Sequence, residues 1–295
     1  MRRSQISLLS AAAALVLAGC EVDLPGGEIT PVTVTVTAGS SPALPATDAS
    51  TPRDSPDQIK LRSGFNRLSA SIGAPVGIAV APVGGVADPR LQFGDQSSHV
   101  AWSTIKVPLA LAAQRAIGPT AAETAAIVDS DNESAEHLWA ALGTPAQAAA
   151  AVTGILREGR DEETIVPEQR RRPGFTVFGQ TVWALPAAAT FTANLRCLPG
   201  GRPVAALMSR VASNQKWGAE IMPSPTSTAV KGGWGPGIAG GYLVRQIALV
   251  DHSDGRATAV AMSAVADSLD SGVAHLNAIG NWLDAVLNQL PRGRC

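Results

Sequence analysis

The stretch Trp102-Ser103-Thr104-Ile105-Lys106-Val107-Pro108-Leu109 places a serine and a lysine three residues apart at the start of an apolar segment. The helical pattern ends before Gly118-Pro119, so the sequence predicts a helix over residues 104–116 that opens at Ser103. Residues three apart share one face of a helix, so the two side chains can touch. A lysine whose pKa is lowered by a low-dielectric site can accept a proton from a serine. The stretch therefore predicts a nucleophile with its base.

An alternative for this pair is a helix-capping serine followed by a surface lysine. A second pair with the same spacing, Ser213-Asn214-Gln215-Lys216, lies in a polar segment with no apolar helix after it. We therefore interpret the second pair as a solvated turn and keep Ser103 and Lys106 as the candidates for chemistry.

Two further motifs follow in the chain. Ser130-Asp131-Asn132 is the first, and its alternative interpretation is a helix-capping box, because Ser130 and Glu133 have the spacing of one. Lys231-Gly232-Gly233 is the second, and it lies in a segment whose period-two alternation predicts a strand. Only four of the 23 basic residues are lysines, and two of those four stand in these motifs. An arginine-rich chain that keeps lysine at position 106 favours a cation that can lose its proton.

The three motifs, in this order, resemble those of penicillin-binding proteins and class A serine β-lactamases. The resemblance covers about residues 58–291. It implies an α+β fold of the β-lactamase/transpeptidase type, in which helices flank an antiparallel sheet. It also implies an all-helical lobe at about residues 107–215, inserted into an α/β lobe made of residues 58–106 and 216–295.

The resemblance also implies roles for individual residues. Ser103 would be the acyl-accepting nucleophile, Lys106 its proton partner, and Ser130 the relay of a proton to the leaving nitrogen. On the substrate side, Asn132 would hold a side-chain amide, and Lys231 would supply positive potential for a carboxylate. The remaining implied binding positions are Gly233, Trp234, whose N–H would complete an oxyanion hole with that of Ser103, and Arg245, which would bind the carboxylate.

The chain departs from the family pattern at two places. The family has Thr or Ser after the strand lysine, where this chain has Gly232 and no hydroxyl. A class A β-lactamase also needs a glutamate with a nearby asparagine to activate water. Glu168 is the best-placed candidate, yet Gln169-Arg170-Arg171-Arg172 follows it instead of a segment with Leu-Asn. Its alternative is a surface carboxylate paired with those arginines.

Two function classes follow from these observations. The first is a serine hydrolase that forms an acyl-enzyme on Ser103 from a β-lactam, a peptidoglycan-like peptide, or another small-molecule or peptide amide or ester. The second is a domain that keeps the fold and the cleft but binds cell-wall material or a partner protein without catalysis. The set at positions 103, 106, 130 and 132 favours the first, whereas Gly232 and the missing Leu-Asn favour the second.

The N-terminus is typical of an exported lipoprotein. Arg2 and Arg3 precede an apolar run that ends in Leu17-Ala18-Gly19-Cys20, so residues 1–20 are predicted to be a signal peptide with lipid on Cys20. The alternative is an ordinary signal anchor with an incidental cysteine. Residues 21–57 are rich in Pro, Thr and Ser and predict a disordered tether. Residues 58–295 would then form a domain held at the outer face of the bacterial cell membrane.

Composition excludes other classes. A net charge of −1 and 4% aromatic residues argue against a nucleic-acid partner. The four histidines show no ligand-like spacing, so neither a metal nor another cofactor is expected. In an oxidising compartment Cys197 and Cys295 are expected to form a disulfide, the alternative being two free thiols.

Overall fold

The computed structural model describes residues 55–85 and 91–295. The predicted lipid-attachment residue Cys20 and residues 21–54 of the predicted tether lie outside these ranges. Ser55 caps the first helix, which begins at Pro56. Residues 55–57, assigned to the tether from composition, therefore form the cap and first turn of a helix.

The described residues contain seven strands in two sheets. Five of them form an antiparallel sheet in the order β2-β1-β7-β6-β5, and β3 pairs with β4 in a separate two-stranded ribbon. The strands are β1 (Val76–Pro82), β2 (Leu91–Gly94), β3 (His99–Val100), β4 (Val182–Trp183), β5 (Ser227–Pro236), β6 (Tyr242–Asp251) and β7 (Ala257–Ala266).

The described residues also contain eight α-helices, some of which flank this sheet, which confirms the predicted α+β class. Helices α1 and α8 pack against each other, and α6 packs on β1 and β7 although it lies within the range 107–215. The helices are α1 (Pro56–Ile72), α2 (Lys106–Ile117), α3 (Ala121–Val128), α4 (Asn132–Ala141), α5 (Pro145–Glu158), α6 (Leu185–Leu195), α7 (Gly201–Met208) and α8 (Leu269–Ala285).

The alternation along the strands divides the core between the two faces of the sheet. On β1, Ile78 and Val80 belong to the core that contains residues of α1 and α8, whereas Ala79 and Ala81 belong to the core that contains residues of α2 and α6. Successive side chains of a strand point to opposite faces, so this pattern follows from the strand itself. Strand β5 is an edge of the sheet, and it lies against the turn at Trp102–Ile105, which brings the first and third motifs together.

The predicted disulfide between Cys197 and Cys295 is confirmed, with the two Cα atoms 5.3 Å apart. Gly293 also pairs with Ala257 at the start of β7, so the last residues are attached to the sheet as well. Within residues 55–85 and 91–295, no helix has both the length and the apolar character that crossing a bilayer requires.

Candidate active site

Ser103 lies on a single 3-10 turn, Trp102–Ile105, that leads directly into α2. Trp102 has a φ of 48°, a left-handed conformation that costs an L-residue about 1–2 kcal/mol. The neighbouring strand approaches very closely: a Cβ on Gly233 would lie 2.9 Å from the Ser103 nitrogen. Glycine at position 233 therefore allows the backbone of β5 to lie beside Ser103.

Lys106 is buried beside Ser103, and its ammonium group is bonded to the second motif. Its Nζ donates to Ser130 O at 2.6 Å, to Asn132 Oδ1 at 2.8 Å and to Asp131 O at 3.1 Å. Burial lowers the pKa of Lys106 to about 8, and two nearby carboxylates oppose this shift only in part. In the part of the chain that the structure describes, no hydrogen bond joins Lys106 Nζ to Ser103 Oγ. The spacing allows the side chains of Ser103 and Lys106 to touch. For Lys106 Nζ to bond Ser103 Oγ, however, it must first give up one of its three present acceptors.

Ser130 faces the site because another residue caps the helix that follows it. Asp131 is the N-cap of α4, and its carboxylate accepts from the Ser134 N–H at 2.7 Å. The capping-box alternative for Ser130 and Glu133 is therefore wrong. Ser130 has a left-handed φ of 59°, and its Oγ accepts from Lys231 Nζ at 2.8 Å.

Lys231 is fully buried on β5 and is held by a residue that the sequence analysis missed. Gln215 Oε1 accepts from both Lys231 Nζ and the Gly232 N–H, while Gln215 Nε2 donates to Ile127 O and Val128 O. Burial and the charge of the neighbouring lysine hold the pKa of Lys231 well below its usual value. The segment containing Gln215 was predicted to be a solvated turn; Ser213, Asn214 and Lys216 are exposed, but Gln215 is completely buried.

The motifs meet at a cavity of about 280 Å³. Ser103, Ser130 and Asn132 lie on its wall, and so does Trp234, next to Gly233 on β5. The other residues that line it are Trp102, Gly174, Phe175, Thr176, Gly235, Pro236 and Tyr242.

The loop at residues 171–176 covers one side of the cavity and is organised by Gln180. This buried amide accepts from the N–H groups of Arg171 and Arg172 through Oε1 and donates to three carbonyls of residues 172–176 through Nε2. Arg172 also donates to Pro236 O at 3.1 Å and lies over the Phe175 ring, with Cζ 4.8 Å from its centroid. The loop is thereby attached to the end of β5.

The structure does not place Glu168 on the wall of this cavity, so its assignment as the group that activates water stays a prediction that the geometry does not support. Glu168 is exposed and lines a separate groove with Arg157, Arg170 and Arg171. Within the described residues it forms no ion pair, so the predicted pairing with the neighbouring arginines is not formed either. No carboxylate of the described residues lines the cavity that contains Ser103.

The assignment of Arg245 to a substrate carboxylate likewise finds no support in the geometry, because Arg245 does not line the cavity. Arg245 is 1% exposed, and its Nη1 donates to the carbonyls of His99, Val100 and Trp183 at 2.9–3.2 Å. It lies opposite Gly233 in the register of β5 and β6, so it shares the face of the sheet that Lys231 occupies. Its Nη1 therefore binds the β3–β4 ribbon, whereas its Nε and Nη2 are buried without a hydrogen-bond partner among the described residues.

The missing hydroxyl at Gly232 has a steric cause. A Cβ at this position would lie 2.6 Å from Cζ2 of Trp217, closer than real Cβ contacts come. Trp217 is buried, and its ring packs edge-on against Trp234 with 6.3 Å between centroids. The indole of Trp217 thus occupies the space that a serine or threonine side chain at position 232 would need.

Of the residues described, no three His, Cys, Asp or Glu side chains come together as a metal site.

Comparison with known proteins gives a likeness in structure but none in sequence families. No protein-family model and no curated protein matches the chain. An ancestral class A β-lactamase matches 77% of this chain and 99% of its own, with a TM-score of 0.55 and 21% identity. A β-lactamase from Xanthomonas campestris matches 78% and 98%, with a TM-score of 0.57 and 17% identity. The chromosome-encoded β-lactamase of Vibrio parahaemolyticus matches 77% and 98%, with a TM-score of 0.55 and 14% identity. The chain therefore has the β-lactamase fold.

Proposed function

We propose that this chain, with its class A β-lactamase fold, is a serine hydrolase that forms an acyl-enzyme on Ser103. One observation carries the proposal: two buried lysines are bonded to Ser130, Lys106 to its backbone carbonyl and Lys231 to its hydroxyl. Burying two cations so close together is costly, and sites that perturb pKa values in this way are enriched in catalytic function.

The first step is the attack of Ser103 Oγ on an acyl carbon. Neutral Lys106 has two N–H groups and a lone pair, so it keeps two of its three acceptors and takes the serine proton. With a pKa of about 8, the neutral form of Lys106 is present at pH 7 in about one molecule in ten. The N–H groups of Ser103 and Trp234 stabilise the oxyanion, an effect worth about 3–4 kcal/mol per donor in other enzymes.

The second step is the departure of the leaving group. Ser130 Oγ accepts from Lys231, so its own hydroxyl hydrogen is free to be donated into the cavity. The leaving oxygen or nitrogen takes this proton, and the Ser130 oxygen is reprotonated from a lysine. The acyl carbon–oxygen bond to Ser103 has formed, and the bond to the leaving group has broken.

The third step, hydrolysis of the acyl-enzyme by water, is expected to be slow. No carboxylate of the described residues lines the cavity to serve as a general base, and such a base contributes about 10²–10⁴-fold. The proposal is thus an enzyme with fast acylation and slow turnover, for which efficient β-lactam hydrolysis is not expected.

Pre-steady-state kinetics tests this function. With an activated, uncharged ester, we expect a burst of about one released alcohol per protein molecule, followed by slow turnover. Ser103→Ala should abolish the burst, whereas Ser213→Ala, from the exposed Ser-x-x-Lys pair, should retain it. Glu168→Gln should leave the slow phase unchanged; a marked loss would return Glu168 to the mechanism.

A second candidate is a non-catalytic domain that uses the cavity to bind cell-wall material or a partner protein. The absence of a carboxylate on the cavity wall favours it. The same kinetics distinguishes the two, because a binding protein gives no burst that depends on Ser103.

Location is a separate part of the proposal. The sequence at residues 1–20 supports attachment to the outer face of the cell membrane through lipid on Cys20. Cys20→Ser should release the domain from membranes into the soluble fraction, and continued sedimentation with membranes would contradict the anchor.

A further inference from the structure

The wall of the cavity is aromatic on several sides and carries no formal charge. Four aromatic side chains contribute to it, from Trp102, Phe175, Trp234 and Tyr242. Its polar groups are hydroxyls and one amide, and no lysine, arginine, aspartate or glutamate of the described residues lines it. An anionic group that left water for this wall would find hydrogen-bond donors but no charged side chain on the wall itself, because Lys106 and Lys231 lie behind Ser130 and are bonded to it.

The cations closest to the cavity are already engaged. Lys106 and Lys231 are buried and each donates to three acceptors. Arg245 is buried and absent from the cavity wall; its Nη1 donates to carbonyls of the β3–β4 ribbon, while its Nε and Nη2 have no partner among the described residues. Arg172 lies over the rings of Trp102 and Phe175 and donates to a backbone carbonyl on β5.

The packing around Gly232, next to Lys231, leaves no room for a side-chain hydroxyl that could donate to an anion. Trp217 fills the place of any side chain at Gly232, and Trp234 packs against it. Position 232 therefore offers no hydroxyl donor, and the part of β5 that lines the cavity presents the indole of Trp234. Aromatic and aliphatic groups of a substrate can pack on such a surface, with about 0.5–1.5 kcal/mol for each well-oriented aromatic pair.

We propose that the acyl donor of this site is an uncharged ester or amide whose leaving group is aromatic or otherwise apolar, and that Trp217 excludes donors bearing a carboxylate there. This inference rests on the proposed acylation of Ser103. The reaction is RCO–OAr plus Ser103–OH giving RCO–O–Ser103 plus ArOH, with the serine proton passing to Lys106 and the leaving oxygen protonated from Ser130.

Two esters of the same acid test the inference, one with phenol and one with 3-hydroxybenzoate as the leaving group. They differ by a single carboxylate on the ring. We expect the phenyl ester to acylate Ser103 at least about tenfold faster, measured as the rate of the mass increase of the intact protein. Equal rates, or a faster reaction with the carboxylate ester, would overturn the inference while leaving the proposed function in place. If neither ester labels Ser103, the proposed function and the inference fall together.

A matched pair of variants tests the role of Trp217. Trp217→Ala provides the space, and Trp217→Ala with Gly232→Thr adds a hydroxyl in that space. Relative to the single variant, the double variant should raise the carboxylate-to-phenyl rate ratio by about fivefold, because a donor to the anion is restored. An unchanged ratio would contradict the proposal that the lack of a hydroxyl at position 232 disfavours donors bearing a carboxylate. The ratio is internally controlled, since reaction with the phenyl ester reports that each variant is folded.

Discussion

Lys106 sits in the environment that matters most for the proposed chemistry. It is 1% exposed and surrounded by three oxygen acceptors. Removal from water favours the neutral amine, while the acceptors and nearby carboxylates favour the ammonium. The balance leaves the pKa of Lys106 at about 8, within reach of physiological pH. An arginine could not serve in its place, because a guanidinium keeps its proton.

The pH dependence of acylation tests this role. The base must be neutral, so kcat/KM for a neutral ester should rise about tenfold per pH unit and level off above about 8. Lys106→Arg should abolish the reaction across the range, whereas Lys216→Arg, at the exposed lysine, should leave the profile unchanged. A flat profile, or activity that survives in Lys106→Arg, would contradict the assignment.

Gly233 provides a second test at the level of one side chain. In Gly233→Ala the new Cβ would lie 2.9 Å from both Ser103 N and Ala101 O, so strand and turn must separate. Separation widens the oxyanion hole, and we expect acylation to fall by about 10²-fold. Gly154→Ala is the matched control, because a Cβ at Gly154 meets nothing within 4 Å. Wild-type acylation rates in Gly233→Ala would show that the close approach is not needed.

The segment between α5 and β4 is held at both of its ends. At its start, Asp161 accepts from the Trp183 indole N–H at 2.8 Å and from the Thr164 N–H at 3.0 Å. Near its end, Gln180 binds residues 171–176, which cover the cavity. Buried polar groups left without partners cost about 1–3 kcal/mol each. Removing the Gln180 amide should therefore loosen the cover without unfolding the domain.

Limited proteolysis measures this loosening. Trypsin cuts after arginine; Arg170 lies just before the cover, and Arg171 is its first residue. Gln180→Ala should be cleaved there at least about tenfold faster than wild type, while its thermal transition remains cooperative. Gln169→Ala, at an exposed position, serves as the control. Equal cleavage rates in wild type and Gln180→Ala would show that other contacts hold the loop.

The elements show what the sequence could and could not predict. The helix after Ser103 and the strand at Lys231 follow from local periodicity, and both are present as α2 and β5. Ser103 and Ser130 line one cavity, and Lys106 and Lys231 are both bonded to Ser130. Gln215, Gln180 and Trp217 were missed because their roles depend on partners far away in the chain. A buried glutamine and an exposed one look alike in a sequence.

Arg245 shows a second limit, set by contacts distant in the chain. Its side chain lies on the face of the sheet that Lys231 occupies, but its hydrogen-bond partners are on β3 and β4, at least 62 residues away in the sequence. The position of Glu168 relative to the cavity was not predictable for a related reason, because the path of the loop at residues 161–181 has no local signal.

On the scale of the whole molecule, the burial of charged Lys106 lowers the free energy of unfolding. The pKa of Lys106 is about 8 in the folded protein and 10.5 as the ordinary value. Between these two values the unfolded chain binds more protons than the folded one, so the free energy of unfolding rises as pH increases. Below about 8 the lysine is charged in both states, and the folded protein bears the full penalty of about 3 kcal/mol.

Chemical denaturation as a function of pH checks this penalty. Wild type should gain stability between pH 8 and 10 relative to Lys106→Met, which has no charge to bury. Lys60→Met, at an exposed lysine, should follow the wild-type curve. Comparing variants cancels the contribution of Tyr242, whose pKa burial raises and which titrates with the opposite sign. Parallel curves for wild type and Lys106→Met would contradict the pKa assigned to Lys106.

The central claim is that Ser103 is the residue that becomes acylated, and peptide mass mapping tests it most directly. The protein is incubated with the phenyl ester, quenched in acid and digested, and the acyl group is located by fragmentation. We predict one acyl group per molecule, on Ser103, in wild type and in Ser213→Ala, and none in Ser103→Ala. An acyl group on another residue, or the same labelling in Ser103→Ala, would contradict the account.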